Sequence, residues 1–468
     1  MGDVTGAERF EHHMSDADAL MWNIEKDPLL RSTIVTVLVF DRSPDFGKLL
    51  ERVDRGSRLI PRMRQRVVTP VLRIGPPHWS GDPHFDLAYH VRHVCAPEPA
   101  TLDTVLGLAR TAAMAGFDRA RPLWEYTLVD GLADGRAALV IKVHHSMTDG
   151  VGGMKLLMML FDLEREPGPP ATLPDAVEPA VLGRLDLIAH SLDHRRRRAL
   201  GIARRATASA VTAARDAVRD PVRAIGESVR VARSIARYLE PATTPRSPLM
   251  RERTLARQLA TLEVPLDELK RAAKVAGGSV NDAFVAGIIG GLQRYHEFHG
   301  EPVDDLRMVM PINVRSEGDA LGGNHFTPAR LLVPLTVKDP AERVREVGRV
   351  LREIRDEPAV ALTDAFAGVL NQLPTSVTTA VFGALLKGAD FVTSNVPGAP
   401  FPIFTGGAEL ERMFAFGPLS GAAASIVLLS HCGVCCLGIN TDFVAIPDTE
   451  PFVRSLEAGL DEILALVR

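Results

Sequence analysis

This chain of 468 residues has few cysteines and a small net charge. Its four cysteines, Cys95, Cys432, Cys435 and Cys436, are too few for a disulfide scaffold, and we interpret them as small buried side chains in a reducing compartment. Cys432 and Cys435 have the spacing of half a zinc site, but no second pair completes it, so zinc is the less favoured alternative and no metal is expected. The net charge of −4 argues against nucleic acid as the main partner.

The sequence also lacks the patterns of a signal peptide and of a membrane-spanning helix. Its N-terminus, MGDVTGAERFEHHMSDADALMW, is acidic and interrupted by charge. The longest uncharged stretch, 414–441, divides at Ser430-His431-Cys432-Gly433 and is predicted to form two buried strands joined by a turn. We therefore expect a cytoplasmic protein that contacts a membrane or a lipid droplet only at its surface.

Strand and helix patterns alternate along the chain, which is longer than one hydrophobic core usually supports. Strands are predicted at 33–40, 124–129, 137–143, 307–310, 329–334, 423–429 and 434–440. Helices are predicted over 102–115, 266–276, 279–295 and 451–467. These patterns favour two mixed α/β domains, at 1–170 and 251–468.

The segment 171–250 between them differs in composition. It contains most of a proline-rich linker, 166–179, and the segment 191–240. That second segment has twelve arginines, no lysine and five acidic residues, so its net charge is +7. Apolar residues at spacings of three and four predict two helices there. Three interpretations remain: a solvated helical pair, an anchor for anionic lipid at a membrane or lipid-droplet surface, or a basic binding surface for coenzyme A phosphates.

The chemistry-bearing motif is His144-His145-Ser146-Met147-Thr148-Asp149-Gly150, which directly follows the strand predicted at 137–143. A neutral imidazole held at a strand end can take a proton from a hydroxyl and return it to a leaving group. Adjacent histidines at a strand end point in opposite directions, so they rarely share a metal ion. Gly150 permits a sharp turn after the motif. For an isolated histidine pair a merely structural role would be the better interpretation.

The complete string HHxxxDG resembles the active-site motif of the coenzyme A-dependent acyltransferase superfamily. Further blocks are similar to those of bacterial wax ester synthase/diacylglycerol acyltransferases, in the same order. They are Pro61–Arg66, Phe85–Arg92, Arg121–Glu125, Val129–Leu132, Gly278–Ala283, Met310–Arg315 and Ser394–Gly398. This resemblance covers nearly the whole chain.

The resemblance implies an α/β fold of two chloramphenicol-acetyltransferase-like domains around a central tunnel. It also implies an O-acyltransferase that moves a long-chain acyl group from acyl-CoA, its co-substrate, to diacylglycerol or a long-chain alcohol, with no bound cofactor. By the resemblance His145 is the general base, and His144 and Asp149 complete the catalytic motif by shaping the loop. We hypothesise that Asp149 pairs with Arg315.

Asn281 and Asp282 resemble the family's Asn-Asp block. Both are also good helix caps, and the two interpretations have equal weight.

Two departures from the family leave the substrate open. The arginine-rich segment is longer than the usual linker, and Ser247–Arg253 lacks the asparagine expected after Pro-Leu. The alternatives are a condensation-type enzyme acting on another alcohol or an amine, and a lipid-binding relative without catalysis. The sequence assigns neither an oxyanion donor nor an oligomeric state.

Overall fold

The computed structural model of the protein describes residues 13–70, 75–147, 150–168, 180–183, 185–197, 244–313, 326–355 and 370–468. It also describes scattered positions between these ranges, at 173, 200, 215, 226, 229–231, 233–234, 236, 240, 357 and 367–368. The described residues form two six-stranded sheets, a small two-stranded sheet and the helices that cover them. The predicted two-part α/β architecture is confirmed.

The first sheet has the strand order β11-β12-β1-β6-β5-β4. Its strands are β1 (Thr33–Phe40), β4 (Val91–Cys95), β5 (Trp124–Asp130), β6 (Ala137–His144), β11 (Phe404–Thr405) and β12 (Ala408–Phe416). Strand β6 lies between β1 and β5 and is antiparallel to both. The small sheet pairs β2 (Gln65–Val68) with β3 (His78–Gly81).

Helices from the first half of the chain cover both faces of this sheet. They are α1 (Asp16–Ile24), α2 (Phe46–Leu59), α3 (Leu87–His90), α4 (Leu102–Met114), α5 (Gly150–Met158) and α6 (185–197). On one face β1, β5 and β6 pack against α2 and α5, and on the other they pack against α4. Alternation along each strand therefore supplies two separate apolar cores.

The second sheet has the order β7-β14-β13-β10-β8-β9. Its strands are β7 (Arg257–Pro265), β8 (Asp305–Asn313), β9 (Phe326–Pro334), β10 (Phe391–Pro397), β13 (Ala424–His431) and β14 (Val434–Asp442). The accompanying helices are α7 (Leu266–Ala276), α8 (Val280–Phe298), α9 (Pro340–Arg355), α10 (Thr375–Leu386) and α11 (Thr449–Leu464). The predicted helices and strands of this half are confirmed, with ends shifted by a few residues.

The uncharged stretch 414–441 contains the predicted pair of buried strands. Strands β13 and β14 are antiparallel and joined through Cys432 and Gly433, whose φ angles are 44° and 84°. Positive φ at both central positions is the geometry of the tightest hairpin turns. In the described part of the chain no single helix is both long and apolar enough to span a membrane, although α7 and α8 pass that test together as a pair bent by 92°.

One expectation about the cysteines is wrong. Cys435 and Cys436 are buried in β14, as expected, but Cys95 and Cys432 are exposed. Cys95 is the last residue of β4 at the edge of the sheet, and Cys432 occupies the hairpin turn. Both lie where a strand ends, so neither reaches the core.

The two halves are connected by β12, which belongs by sequence to the second half and pairs with β1 of the first. Strand β14 of the second sheet approaches β12 closely, because a Cβ placed on Gly438 would lie 2.0 Å from the carbonyl oxygen of Ala415. Only a residue without a side chain fits at this position of β14. The two sheets therefore meet through backbone contact at β12.

Glycines also allow the closest helix contact in the second half. Helices α8 and α11 cross at Gly287, Gly291 and Gly459. A Cβ on Gly459 would lie 2.2 Å from the nitrogen of Gly291 and 2.3 Å from the oxygen of Gly287. Because both neighbours are backbone atoms, no side-chain rearrangement can make room.

We expect Gly459→Ala to lower the free energy of unfolding by about 1–3 kcal/mol, because the new methyl group forces α8 and α11 apart. The matched control is Gly107→Ala in α4, where the added Cβ has no atom within 4 Å from any described residue beyond its own helical turn. That variant should gain up to about 1 kcal/mol from its helix propensity. Urea unfolding followed by circular dichroism measures both, and equal midpoints for Gly459→Ala and wild type would refute the packing argument.

Candidate active site

The two motif histidines lie at the end of β6 and are fixed through their backbones. The His144 N–H donates to the carbonyl oxygen of Leu123 at 3.0 Å, and the His145 N–H donates to that of Ser32 at 2.7 Å. At His145 the chain leaves the strand and enters a short 3₁₀ helix, His145–Met147. As the alternation predicts, the two imidazoles have different surroundings.

The His144 ring is buried inside the first half of the molecule, with 1% of the residue exposed. Its Nδ1 accepts the N–H of Ser146 at 3.1 Å, so Nε2 carries the hydrogen and donates to Oε1 of Glu25 at 2.9 Å. The edges of Trp22 and Phe117 enclose the ring, at 5.7 and 6.0 Å between ring centroids. His144 therefore holds the loop in place and does not line the cavity described below.

Glu25, at the C-terminal end of α1, joins both histidines to β1. Besides His144, its Oε1 accepts the N–H of Ser32 at 2.7 Å, and the Ser32 carbonyl in turn accepts the N–H of His145. Burial alone would raise the pKa of Glu25, but the hydrogen bonds from His144 and Ser32 and the charge of Arg119 outweigh it and keep the pKa below its ordinary value. The site thus contains a permanent carboxylate that the sequence analysis missed.

His145 faces a cavity of about 570 Å³. Most of its lining is apolar, and two groups of its lining residues lie on different elements. We define the first arm as the part bounded by the first sheet, α2 and α5, lined by Ile34, Thr36, Gly56, Ile60, Met63, Trp124, Tyr126, Ile141, Val143, Met154, Leu157, Leu160, Met413 and Ala415. The second arm lies between α1, α10 and the second sheet, lined by Ala17, Leu20, Met21, Ile24, Val309, Phe382, Leu386 and Val392.

Polar groups reach this cavity at few points. Apart from His145 they come from Ser32, Asn281, Ser394, Asn395, Ser420, Ser425 and Arg355, and in the first arm from Thr36 and Tyr126. Within the described ranges, no group of three or more His, Cys, Asp or Glu side chains is placed to hold a metal ion. The arrangement is therefore an apolar chamber with one imidazole at a fixed position, which suits proton transfer beside a hydrocarbon chain.

The structure separates the two residues of the Asn-Asp pair. Asp282 accepts the N–H of Ser279 at 2.8 Å while Ser279 Oγ accepts the N–H of Asp282 at 3.2 Å, a reciprocal cap at the start of α8. Asn281 instead lines the cavity, with its Nδ2 3.9 Å from the sulfur of Met310. One residue thus has the capping geometry and the other lies beside the site.

Three predicted site residues remain: Gly150, Asp149 and Arg315. Gly150 is the first residue of α5. Asp149 and Arg315 lie outside the described residues, as does most of 191–240, so their hypothesised pairing stays a prediction.

Two models of one known family match most of the chain. Residues 14–284 match the wax ester synthase/diacylglycerol acyltransferase catalytic domain, and residues 322–464 match the C-terminal domain of the same family. A protein of Mycobacterium tuberculosis strain H37Rv, provisionally named a diacylglycerol O-acyltransferase, is 40% identical over 466 residues, which cover 100% of this chain and 94% of that protein.

Solved structures with the same fold include the wax ester synthase/diacylglycerol acyltransferase of Marinobacter aquaeolei VT8. It has a TM-score of 0.63 and 21% identity, with 96% of this chain and 98% of that one covered. The first condensation domain of the calcium-dependent antibiotic synthetase has a TM-score of 0.61 and 17% identity, with coverage of 98% and 96%. These likenesses confirm the predicted acyltransferase-type fold.

We expect Glu25→Gln to lower the free energy of unfolding at pH 7 by about 1–3 kcal/mol, because the amide cannot replace a charged acceptor shared by His144 and Ser32. Since folding lowers the pKa of Glu25, this contribution is complete above the unfolded value of 4.5 and is lost as the pH falls through the folded value. The difference between variant and wild type should therefore shrink below pH 4.5.

Urea unfolding at pH 7, 5 and 3.5 measures this difference. Glu301→Gln, which changes an exposed carboxylate, is the control and should match wild type throughout. A Glu25→Gln difference that stays constant across this pH range would rule out the carboxylate as its source.

Proposed function

Because this chain belongs to the wax ester synthase/diacylglycerol acyltransferase family, whose co-substrate is acyl-CoA, we propose that its acyl transfer uses His145 as the general base. The observation that carries this proposal is the position of His145, fixed by its backbone to Ser32 and facing the apolar cavity. His144 is turned away into a buried network with Glu25, so it acts as a positioning residue.

The proposed reaction is a direct transfer. A neutral nitrogen of His145 takes the proton from the acceptor hydroxyl while its oxygen attacks the thioester carbonyl carbon of acyl-CoA. The tetrahedral oxyanion collapses, the carbon–sulfur bond breaks, and His145 returns the proton to the leaving coenzyme A thiolate. An ester and free coenzyme A result, and no acyl-enzyme is formed.

The acceptor we propose is diacylglycerol or a long-chain alcohol. The cavity has apolar lining from the first sheet and from α1 and α10, with His145 on the same cavity, and such a chamber suits the hydrocarbon chains of two lipid substrates, which supports transfer between them. The name of the mycobacterial relative at 40% identity supports diacylglycerol. The shared fold also supports an amine acceptor, as in a condensation-type enzyme. The apolar lining around the base gives that alternative no further support.

The first test is the release of free coenzyme A from palmitoyl-CoA with diacylglycerol, hexadecanol or hexadecylamine as acceptor. Wild type should release it with the alcohols, and His145→Ala should reduce the rate at least a hundredfold. His84→Ala, which removes an exposed imidazole, is the control and should keep the wild-type rate. Release only with the amine, or from His145→Ala at the wild-type rate, would contradict the proposal.

We further propose that the enzyme works on the cytoplasmic side of a membrane or lipid-droplet surface and contacts it through α6 and the arginine-rich segment 191–240, which begins within this helix. Leu185, Ile188 and Leu192 follow one side of α6 and are 81%, 36% and 55% exposed. Three exposed arginines, Arg195, Arg196 and Arg197, stand at the end of the described helix. Apolar residues beside arginine suit the boundary of an anionic lipid layer.

This contact is tested by co-sedimentation with phosphatidylglycerol and phosphatidylcholine vesicles at low and high salt. Wild type should bind the anionic vesicles, less at high salt, and the double variant Leu185→Ser/Leu192→Ser should bind several-fold less. Val275→Ser removes a valine of α7 that is 65% exposed and should bind as wild type does. Equal binding by the double variant and wild type would exclude α6 as the contact.

A further inference from the structure

The sheet wall of the first arm is organised in rows, because neighbouring strands place opposite residues side by side. The row nearest His145 consists of Ile34, Val143 and Trp124. The second row consists of Ala415, Thr36, Ile141 and Tyr126. The third row consists of Met413, Leu38, Leu139 and Leu128, and its three leucines are at most 1% exposed. This third row closes the arm.

Two hydroxyl groups interrupt this apolar wall, and both belong to the second row. Tyr126 is 8% exposed and lines the cavity, and its hydroxyl has no hydrogen-bond partner among the residues that the structure describes. Thr36, half-buried on the other side of Ile141, likewise has no side-chain hydrogen bond to any described residue. By contrast, Trp124 in the first row donates its Nε1–H to the carbonyl of Met63 at 2.8 Å.

An unpaired hydroxyl in an apolar chamber is costly. Both hydroxyls line the cavity, so an oxygen of a ligand placed beside either one can form a hydrogen bond that the protein itself does not supply. Burial also raises the pKa of Tyr126, so the group remains a neutral phenol that can donate. On α1 and α10, the described residues that line the cavity are all apolar.

The second row has a defined depth. Ile141 precedes His145 by four residues, which in a strand corresponds to ~13 Å, the length of about ten methylene groups in an extended chain. An oxygen hydrogen-bonded at this depth to Tyr126 or to Thr36 would therefore lie near the tenth carbon from the reacting group.

We propose that Tyr126 and Thr36 form a polar subsite for an oxygen-bearing long chain, such as one with a hydroxyl or keto group near its tenth carbon. The chain belongs to the acyl donor or to the acceptor alcohol, whichever occupies the first arm. Binding at the subsite does not depend on the proposed function, but the reaction of the bound chain rests on it. Its selectivity arises because a site built to hydrogen-bond an oxygen disfavours the chain that lacks it.

A binding experiment tests the subsite independently of catalysis. A fluorescent fatty acid bound in the cavity is displaced by octadecanoic acid, by its 10-hydroxy derivative or by its 17-hydroxy derivative. Wild type should bind the 10-hydroxy chain about tenfold more tightly than the 17-hydroxy chain, and Tyr126→Phe should lose most of this ratio. Thr36→Val should reduce the ratio as well, and Tyr89→Phe, a matched change outside the cavity, should preserve it.

Turnover then identifies the substrate that carries the oxygen. One reaction pairs 10-hydroxystearoyl-CoA with hexadecanol, and the other pairs stearoyl-CoA with a 10-hydroxylated alcohol. Only one of the two, the reaction whose oxygen-bearing chain occupies the first arm, should have the higher kcat/KM. If no acyl-CoA is turned over but the binding ratio and its loss in Tyr126→Phe persist, the proposed function fails and the subsite stands. A binding ratio near one in wild type, or one equal in wild type and Tyr126→Phe, overturns the subsite, whatever the turnover.

Discussion

The position of one antiparallel strand determines the geometry of the whole site. Strand β6 is hydrogen-bonded on one side to β1 and on the other to β5, so its end cannot rotate or slip without breaking both ladders. The alternation of side chains then sends His144 and His145 to different surroundings. Glu25 secures the arrangement by accepting hydrogen bonds from His144 and from the backbone of Ser32, to which His145 is itself bound. A single carboxylate thus connects α1, β1 and the motif.

The crossing of β12 into the first sheet gives the site its second wall. Residues on and after this strand, Met413, Ala415, Gly417 and Ser420, line the cavity before the chain enters β13 of the second sheet. The missing side chain of Gly438 lets the two sheets approach at Ala415. A chamber between sheets that are joined in this way cannot be attributed to either half alone, and this explains why both family domains accompany the catalytic motif.

Sequence reasoning succeeded where the controlling information is local. The β-branched run 33–40 coincides with β1, and the helix predicted over 266–276 coincides with α7. It missed β12, because Ala408–Phe416 mixes charged and apolar residues and finds its partner more than 360 positions earlier. It also missed Glu25 and Tyr126, whose importance lies only in what the fold places beside them. The motif and its family blocks identified the reaction class because they combine many positions.

The apolar lining also determines which oxygen can attack. Water is small and abundant, yet a base that activated it would hydrolyse acyl-CoA and waste the thioester. In this cavity an alcohol with a long chain gains the free energy of burying its methylene groups, about 0.8 kcal/mol each, and a water molecule gains none of it. In the proposed reaction the hydrocarbon chain of the acceptor would therefore contribute to the rate as well as to binding, since it would hold the hydroxyl at His145. In the proposed mechanism, transfer prevails over hydrolysis because of the shape and polarity of the chamber, and the base needs no selectivity of its own.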